Sequence, residues 1–177
     1  MTQPSLVPDP TLFGPRPNPV SPTRLPAMLA DILVRYIHFL SLAVVFAALI
    51  GQHVLLKGTV PRSTVALVQR FDLAYAIAVI AVLATGLLQW FSGSKPAAFY
   101  SSNPVFHTKL TLFLAIGLVS IYPSVFFGKH RKGDPAELVE IPKGIVWSVR
   151  IELLLLALMP LLAVLMAKGL GIPLAKP

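Results

Sequence analysis

Two histidines lie near the start of two long apolar runs, where an ionisable side chain has chemical consequences. His38 follows Arg35 by three residues in the run 27–56, and His107 follows Pro104 by three residues at the start of another run. Placing an ionisable group at membrane depth costs roughly 2.5–3.5 kcal/mol, so such a group usually faces a protein interior or a cavity. Neutral imidazole is a strong ligand for iron and other metals. The pattern therefore makes His38 and His107 candidate ligands of a haem iron or another metal.

His38 lies on the polar side of its predicted helix. At about 3.6 residues per turn, one stripe of the run carries most of its polar side chains, which include Arg35, His38, Ser41 and Gln52. The opposite stripe is apolar throughout, so we expect it to face lipid and His38 to face a protein interior. Ser41, one turn away, or a backbone carbonyl is the expected hydrogen-bond partner of the second ring nitrogen.

A structural role is the alternative for both histidines. His107 could be an interfacial residue without a ligand, and His38 could hydrogen-bond a neighbouring helix, a contact worth about 0.6 kcal/mol in membrane proteins. Lys109 follows His107 by two residues, which is about 200° around a helix. His107 and Lys109 therefore cannot both serve one central pocket if the first turn of their helix is regular.

A second group of polar residues collects at the opposite ends of the apolar runs. It comprises Gln52, His53, Arg70, Asp72, Tyr122, Arg150 and Glu152. Because charges that enter a membrane usually pair, we expect each arginine of this group to meet one of its two carboxylates on a neighbouring helix, directly or through water. Such pairs would either fix two helices or anchor a substrate's carboxylates, such as porphyrin propionates, or surround a quinone ring.

The composition indicates which elements position these residues. Of the 177 residues, 55% are hydrophobic and only 12% are charged, whereas a soluble domain has about 25% charged residues. Four apolar runs are each long enough to cross a bilayer, which takes about 20 residues. We therefore predict an all-α fold, an integral membrane bundle of four antiparallel helices near 28–56, 68–91, 104–127 and 145–167. Pro123 should kink or end the third helix.

A proline-rich arm, residues 1–26, precedes this transmembrane domain of residues 27–177, and we expect the arm to be extended or disordered. The chain has no cysteine, which excludes disulfides, thiolate metal ligands and c-type haem attachment. The net charge of +8 comes largely from short loops. This pattern is typical of membrane topology and of contact with the lipid bilayer rather than with nucleic acid.

Basic residues are concentrated in the loops after the first and third predicted helices. These loops hold Lys57, Arg62, Lys129, Arg131, Lys132 and Lys143, while the loop after the second helix holds only Lys95. Positively charged loops usually stay in the cytoplasm. We therefore expect a multi-pass protein of a bacterial inner membrane with both termini outside.

Four short fragments carry a resemblance to known membrane proteins. They are Arg35-Tyr36-Ile37-His38-Phe39, Arg70-Phe71-Asp72, Phe106-His107-Thr108-Lys109-Leu110 and Arg150-Ile151-Glu152. In order and helix position they resemble a family of predicted bacterial membrane proteins. More distantly, they are similar to the haem-containing, four-helix protoporphyrinogen IX oxidase of the HemJ type. The resemblance covers residues 35–166. The Tyr122-Pro123 interruption and the long acidic loop before the last helix depart from that oxidase.

The resemblance implies that His38 is an axial haem ligand and that His107 or Lys109 is the second ligand or a pocket residue. The candidate cofactor-binding residues are thus His38, His107, Lys109 and Arg35, with His38 and His107 as candidate metal ligands. We expect a b-type haem protein with a redox role, either protoporphyrinogen oxidase-like or quinol-linked. The alternative is a non-enzymatic accessory subunit of a larger membrane complex. A homo-oligomer is also compatible with the sequence.

Overall fold

Four long helices dominate the computed structural model, which describes residues 24–93 and 95–171. They are α1 (Leu25–Leu55), α2 (Arg62–Ser92), α4 (Pro104–His130) and α5 (Lys143–Ala167), and the short helix α3 (Ala97–Ser101) lies between α2 and α4. Each long helix has the length and apolar composition of a membrane span. The predicted all-α membrane bundle is confirmed. The arm predicted for residues 1–26 lies almost entirely outside the described residues.

The four long helices form a ring. Helix α1 packs against α2 and α5, and α4 packs against α2 and α5. The chain therefore runs up and down around the ring, so that the starts of α1 and α4 lie at one face of the bundle with the ends of α2 and α5. We call this the His38 face. The loops after α1 and α4 lie at the other face, which we call the basic-loop face.

Prolines affect the helices less than the sequence indicated. Pro104 occupies the first turn of α4, where a missing N–H is harmless, and the Asn103 side chain caps that turn by accepting a hydrogen bond from the Val105 amide at 2.9 Å. Pro123 is fully buried inside α4, which continues to His130. The prediction that this helix ends near residue 127 is therefore three residues short. Membrane helices tolerate an internal proline because local adjustments satisfy the freed backbone groups.

A small sheet closes the basic-loop face and was not predicted from the sequence. Strand β1 (Thr59–Pro61) pairs antiparallel with β2 (Leu138–Glu140), and the central partners are Val60 and Val139. Both valines are buried. The two strands are too short to show an alternating pattern in the sequence. They join the loop after α1 to the loop after α4.

Arg62, the first residue of α2, reinforces this junction. Its Nη1 donates to the backbone carbonyls of His130 at 3.0 Å and Lys132 at 2.7 Å, and its Nη2 pairs with Glu137 Oε1 at 2.6 Å. The guanidinium packs against Gly133, whose φ of +134° suits glycine. We call Arg62, Glu137 and the two strands the loop clamp.

The packed core lies in the half of the bundle next to the loop clamp. There the buried apolar residues come from all four helices and include Leu49, Val68, Phe127 and Val149. Towards the His38 face the packing thins: within the described part of α1 no residue before Ser41 is buried, and in α4 none is buried from Pro104 to Ala115. The bundle is therefore tight at one end and open at the other.

An apolar layer separates the two halves. It is formed by Leu42, Val45, Val79, Val82, Phe113, Ile116, Gly117, Leu156 and Met159, which surround a void of about 20 Å³. A void of this size could hold one water molecule, but a site lined only by apolar groups stays dry. The layer therefore isolates the polar residues on its two sides from each other.

Candidate functional site

His38 is half-buried on α1 and reaches across to α2. Its Nδ1 lies 2.9 Å from Thr85 Oγ1. The Thr85 hydroxyl has one proton and lies within hydrogen-bonding distance of the carbonyls of Ala81 and Val82, so it donates to one of them and accepts from His38. The His38 proton is thus assigned to Nδ1, which leaves the Nε2 lone pair available.

Thr85, and not Ser41, is therefore the side-chain partner of the His38 ring, so the prediction of Ser41 is wrong, while the alternative of a backbone carbonyl agrees with the contact of His38 to the Val82 backbone. The physical reason is the close approach of α1 and α2 at this level. The position that a Cβ of Gly86 would take is 3.6 Å from His38 Cε1, an ordinary van der Waals distance, so the ring packs against α2 at this point. The signal in the sequence was the Thr85-Gly86 pair in an otherwise apolar stretch.

Lys109 of α4 lies within electrostatic range of His38. It is half-buried, and its charge acts on the imidazole across the bundle. Within the described ranges Lys109 makes no hydrogen bond or ion pair. Burying an unpaired cation in a membrane span costs free energy, and such residues usually mark a binding site or a functional pathway.

His107 lies on the outside of the bundle. It is exposed, and its Nε2 donates to the Ser101 carbonyl at 2.8 Å. It lines an open groove of about 440 Å³ between α2 and α4, together with Leu83, Leu110 and Gly117. Lys109, rather than His107, therefore acts electrostatically on His38, as expected for two residues about 200° apart on one helix. Metal binding by His107 stays a prediction.

Arg35 forms an ion pair with Asp31, one turn earlier on α1. The Arg35 Nε and Asp31 Oδ2 atoms are 3.0 Å apart. The spacing of four residues could have identified Asp31 as the partner, because such residues are neighbours on a helix. The pair lowers the cost of a charge in this span. A role of Arg35 in cofactor binding stays a prediction.

Two carboxyl groups meet inside the bundle on the other side of the apolar layer. Asp72 of α2 and Glu152 of α5 are 6% and 1% exposed and are close enough to affect each other electrostatically. Tyr75, one turn after Asp72, faces Glu152. Ser124 of α4 donates to Asp72 Oδ1 at 2.7 Å. We call these four residues the acid cluster. Ser124 was missed in the sequence, where it is one of several hydroxyls in the run.

The predicted pairing of these carboxylates with arginines is wrong. Arg70 and Arg150 are both exposed, and Arg150 lies over the Trp147 ring at 5.6 Å. The ion pairs of the described ranges are Arg35–Asp31 and Arg62–Glu137. Each of the exposed arginines precedes the carboxylate of its own helix by two residues, which places the two side chains about 200° apart around that helix. The carboxylates therefore point inward and the arginines outward.

A haem can be tested against this geometry. Cofactor pockets usually measure roughly 300–1,000 Å³, so the void of about 20 Å³ in the apolar layer cannot hold one. The His38 end has no buried residues in α1 from Leu25 to Leu40 or in α4 from Pro104 to Ala115, and it holds an imidazole whose Nε2 lone pair is available. The described residues contain no group of three His, Cys, Asp or Glu that could hold a metal ion. A haem needs few protein ligands because its porphyrin supplies four, so the donor at either histidine suits it, and the groove of about 440 Å³ beside His107 falls within this size range.

These features define a multi-pass, four-helix integral membrane protein with one polar site on each side of an apolar layer. A family model described as "Predicted membrane protein (DUF2214)" matches residues 30–171, and the chain belongs to this family. No curated protein and no solved structure matches the chain.

Proposed function

We propose that the protein binds a b-type haem at the His38 end and takes part in membrane electron transfer. The observation that carries the proposal is the hydrogen bond from His38 Nδ1 to Thr85, because it leaves Nε2 free to ligate iron and holds the ring in place. Such a hydrogen bond on the second nitrogen is the usual support of a metal-binding histidine. When bound, the haem would supply the one-electron chemistry.

Lys109 is the residue we place on the other side of this cofactor. It lies within electrostatic range of His38 and has no hydrogen-bonding partner in the described ranges, so a neutral amine could ligate iron, or a charged one could pair with a propionate. Either role would reduce the free-energy cost of placing the lysine side chain in the membrane. The protein's own residues thus hold, orient and electrostatically balance the group. The substrate class is a quinol or a porphyrinogen.

We infer that the protein lies in a bacterial inner membrane with the loop clamp in the cytoplasm. The support is the excess of basic residues at the basic-loop face, where Lys57, Lys129 and Lys132 lie, over the single Lys95 of the α2–α3 loop. Because the chain has no cysteine, this orientation is simple to test. A cysteine placed at Lys132 should resist a membrane-impermeant maleimide in intact spheroplasts, and one placed at Lys95 should react.

An absorption spectrum tests the function. The protein, purified from haem-sufficient cells, should show a Soret band, and reduction with dithionite should sharpen the visible bands of a six-coordinate b-type haem. A wild-type preparation that is folded but has no Soret band would overturn the proposal. It would favour the alternative, a non-enzymatic accessory subunit of a larger membrane complex, which needs no cofactor.

A further inference from the structure

The acid cluster contains polar groups that the proposed haem site does not use. Glu152 Oε1, the Tyr75 hydroxyl and Gln52 Nε2 are all buried without a hydrogen-bond partner in the described ranges. The tyrosine hydroxyl faces Glu152 and Ser120, but neither contact has the geometry of a hydrogen bond. Buried polar groups are nearly always satisfied, so three such atoms on neighbouring helices single out this cluster as a polar site.

The two carboxyl groups of the cluster differ in their surroundings. Asp72 accepts hydrogen bonds from Ser124 at 2.7 Å and from Gln69 at 3.4 Å, and donors of this kind stabilise an ionised carboxylate. Glu152 is 1% exposed and has no hydrogen bond of standard geometry to Tyr75 or to Asp72. An isolated buried carboxylate is very unfavourable and takes up a proton instead. The arrangement therefore fits one negative charge, on Asp72, and one proton, on Glu152.

Among residues 24–93 and 95–171, no cation forms an ion pair with Asp72 or Glu152 that would balance a second negative charge. On α1, Gly51 packs against Phe71 of α2, so the adjacent Gln52 lies at the level of the acid cluster. The titratable residue of α1 at this level is His53. Helix α4 contributes the hydroxyls of Ser120 and Ser124. On α2 and α5 the arginines Arg70 and Arg150 are exposed, so Tyr75 and the two carboxyls are the titratable groups that face each other.

We propose that the acid cluster is a proton-binding site within the membrane and that it exchanges its proton with the basic-loop face only. Asp72 lies about 15 Å from the start of α2, since each helical residue adds about 1.5 Å. Between the cluster and that face lie the polar side chains of Gln69 and Gln52. On the other side, the dry apolar layer blocks a chain of water molecules.

A membrane-soluble carbodiimide tests this site, because it adds to a protonated carboxyl in an apolar environment and leaves a stable N-acylurea. With the full-length protein in liposomes, we expect labelling of Glu152 at neutral pH, found by peptide mass spectrometry, and a decline as the pH rises. The exposed Glu140 of the loop clamp is the internal control and should remain unlabelled. Unlabelled Glu152 at neutral and acidic pH would overturn the proposal.

The sidedness is tested in vesicles of known orientation with different pH inside and outside. Labelling of Glu152 should follow the pH on the basic-loop side, and dependence on the opposite side would contradict one-sided access. Infrared spectroscopy gives a second measurement on the wild type. It should show the carbonyl stretch of a buried carboxylic acid, and this band should disappear in Glu152→Gln. Absence of the band from the folded wild type counts against the proposal even if the variant does not fold.

Discussion

At the scale of single residues, the hydrogen bond between His38 and Thr85 connects α1 to α2 and also sets the chemistry of the imidazole. The sequence predicted that His38 faces inward but not its partner, because the partner depends on the rotation of a second helix. The incorrect prediction of arginine pairs has the same cause, because the sequence does not give the rotation of each helix about its own axis. Arg70 and Asp72 are close in the sequence, yet a separation of two residues sends their side chains to opposite sides of α2.

Thr85→Val should weaken haem binding. Valine has the same shape but cannot accept a hydrogen bond, so His38 Nδ1 loses the contact that fixes its tautomer. Loss of such a supporting partner typically reduces metal affinity by about 10–100-fold. The measurement is haem titration of the apo-protein. Thr111→Val is the matched control, because the Thr111 hydroxyl bonds only the His107 carbonyl of its own helix. Equal affinities of the two variants would contradict the role of Thr85.

Ser124→Ala should destabilise the bundle by about 1–2 kcal/mol. The hydroxyl is a direct donor to the buried Asp72 carboxylate at 2.7 Å and ties α4 to α2. Thermal unfolding in detergent measures the change. Ser148→Ala is the control, since that hydroxyl bonds only the Gly144 carbonyl within α5. If both variants unfold at the same temperature, Asp72 does not depend on Ser124 for its stabilisation.

At the scale of elements, long apolar runs made the four spans predictable, since each must be a helix to satisfy its backbone in lipid. The first helix and the last were placed within a few residues of their observed bounds. The start of α2 was predicted six residues late, because the polar turn from Arg62 onward belongs to the helix although it extends beyond the apolar run. The β1–β2 sheet could not be predicted because it joins distant three-residue segments.

Arg62→Lys should loosen the loop clamp. Lysine keeps the charge but cannot serve two carbonyls and a carboxylate at once, as the guanidinium of Arg62 does. We expect a loss of about 1–2 kcal/mol of stability and faster proteolysis of residues 131–142. Arg131→Lys, at an exposed position of the same loop, is the control. Identical proteolysis of the two variants would show that the Arg62 contacts do not hold the loop.

At the scale of the whole molecule, the bundle has two polar sites with different surroundings. The His38 end is loosely packed and contains basic groups, whereas the acid cluster lies in the tight half next to the loop clamp. The depth of both polar sites within the membrane spans could be predicted from the sequence, because ionisable residues are rare in such spans. The division between them depends on the apolar layer, which emerges only when all four helices are packed together.

The haem content of two single variants tests the central proposal most directly. His38→Ala removes the half-buried imidazole with the free Nε2, while His107→Ala removes an exposed imidazole outside the bundle. Both proteins are expressed in haem-sufficient cells, shown to be folded by their helical circular dichroism, and assayed for haem per polypeptide. We predict that His38→Ala is devoid of haem and that His107→Ala retains the wild-type amount. Wild-type haem content in His38→Ala, or its loss only in His107→Ala, would contradict the assignment of His38 as the iron ligand.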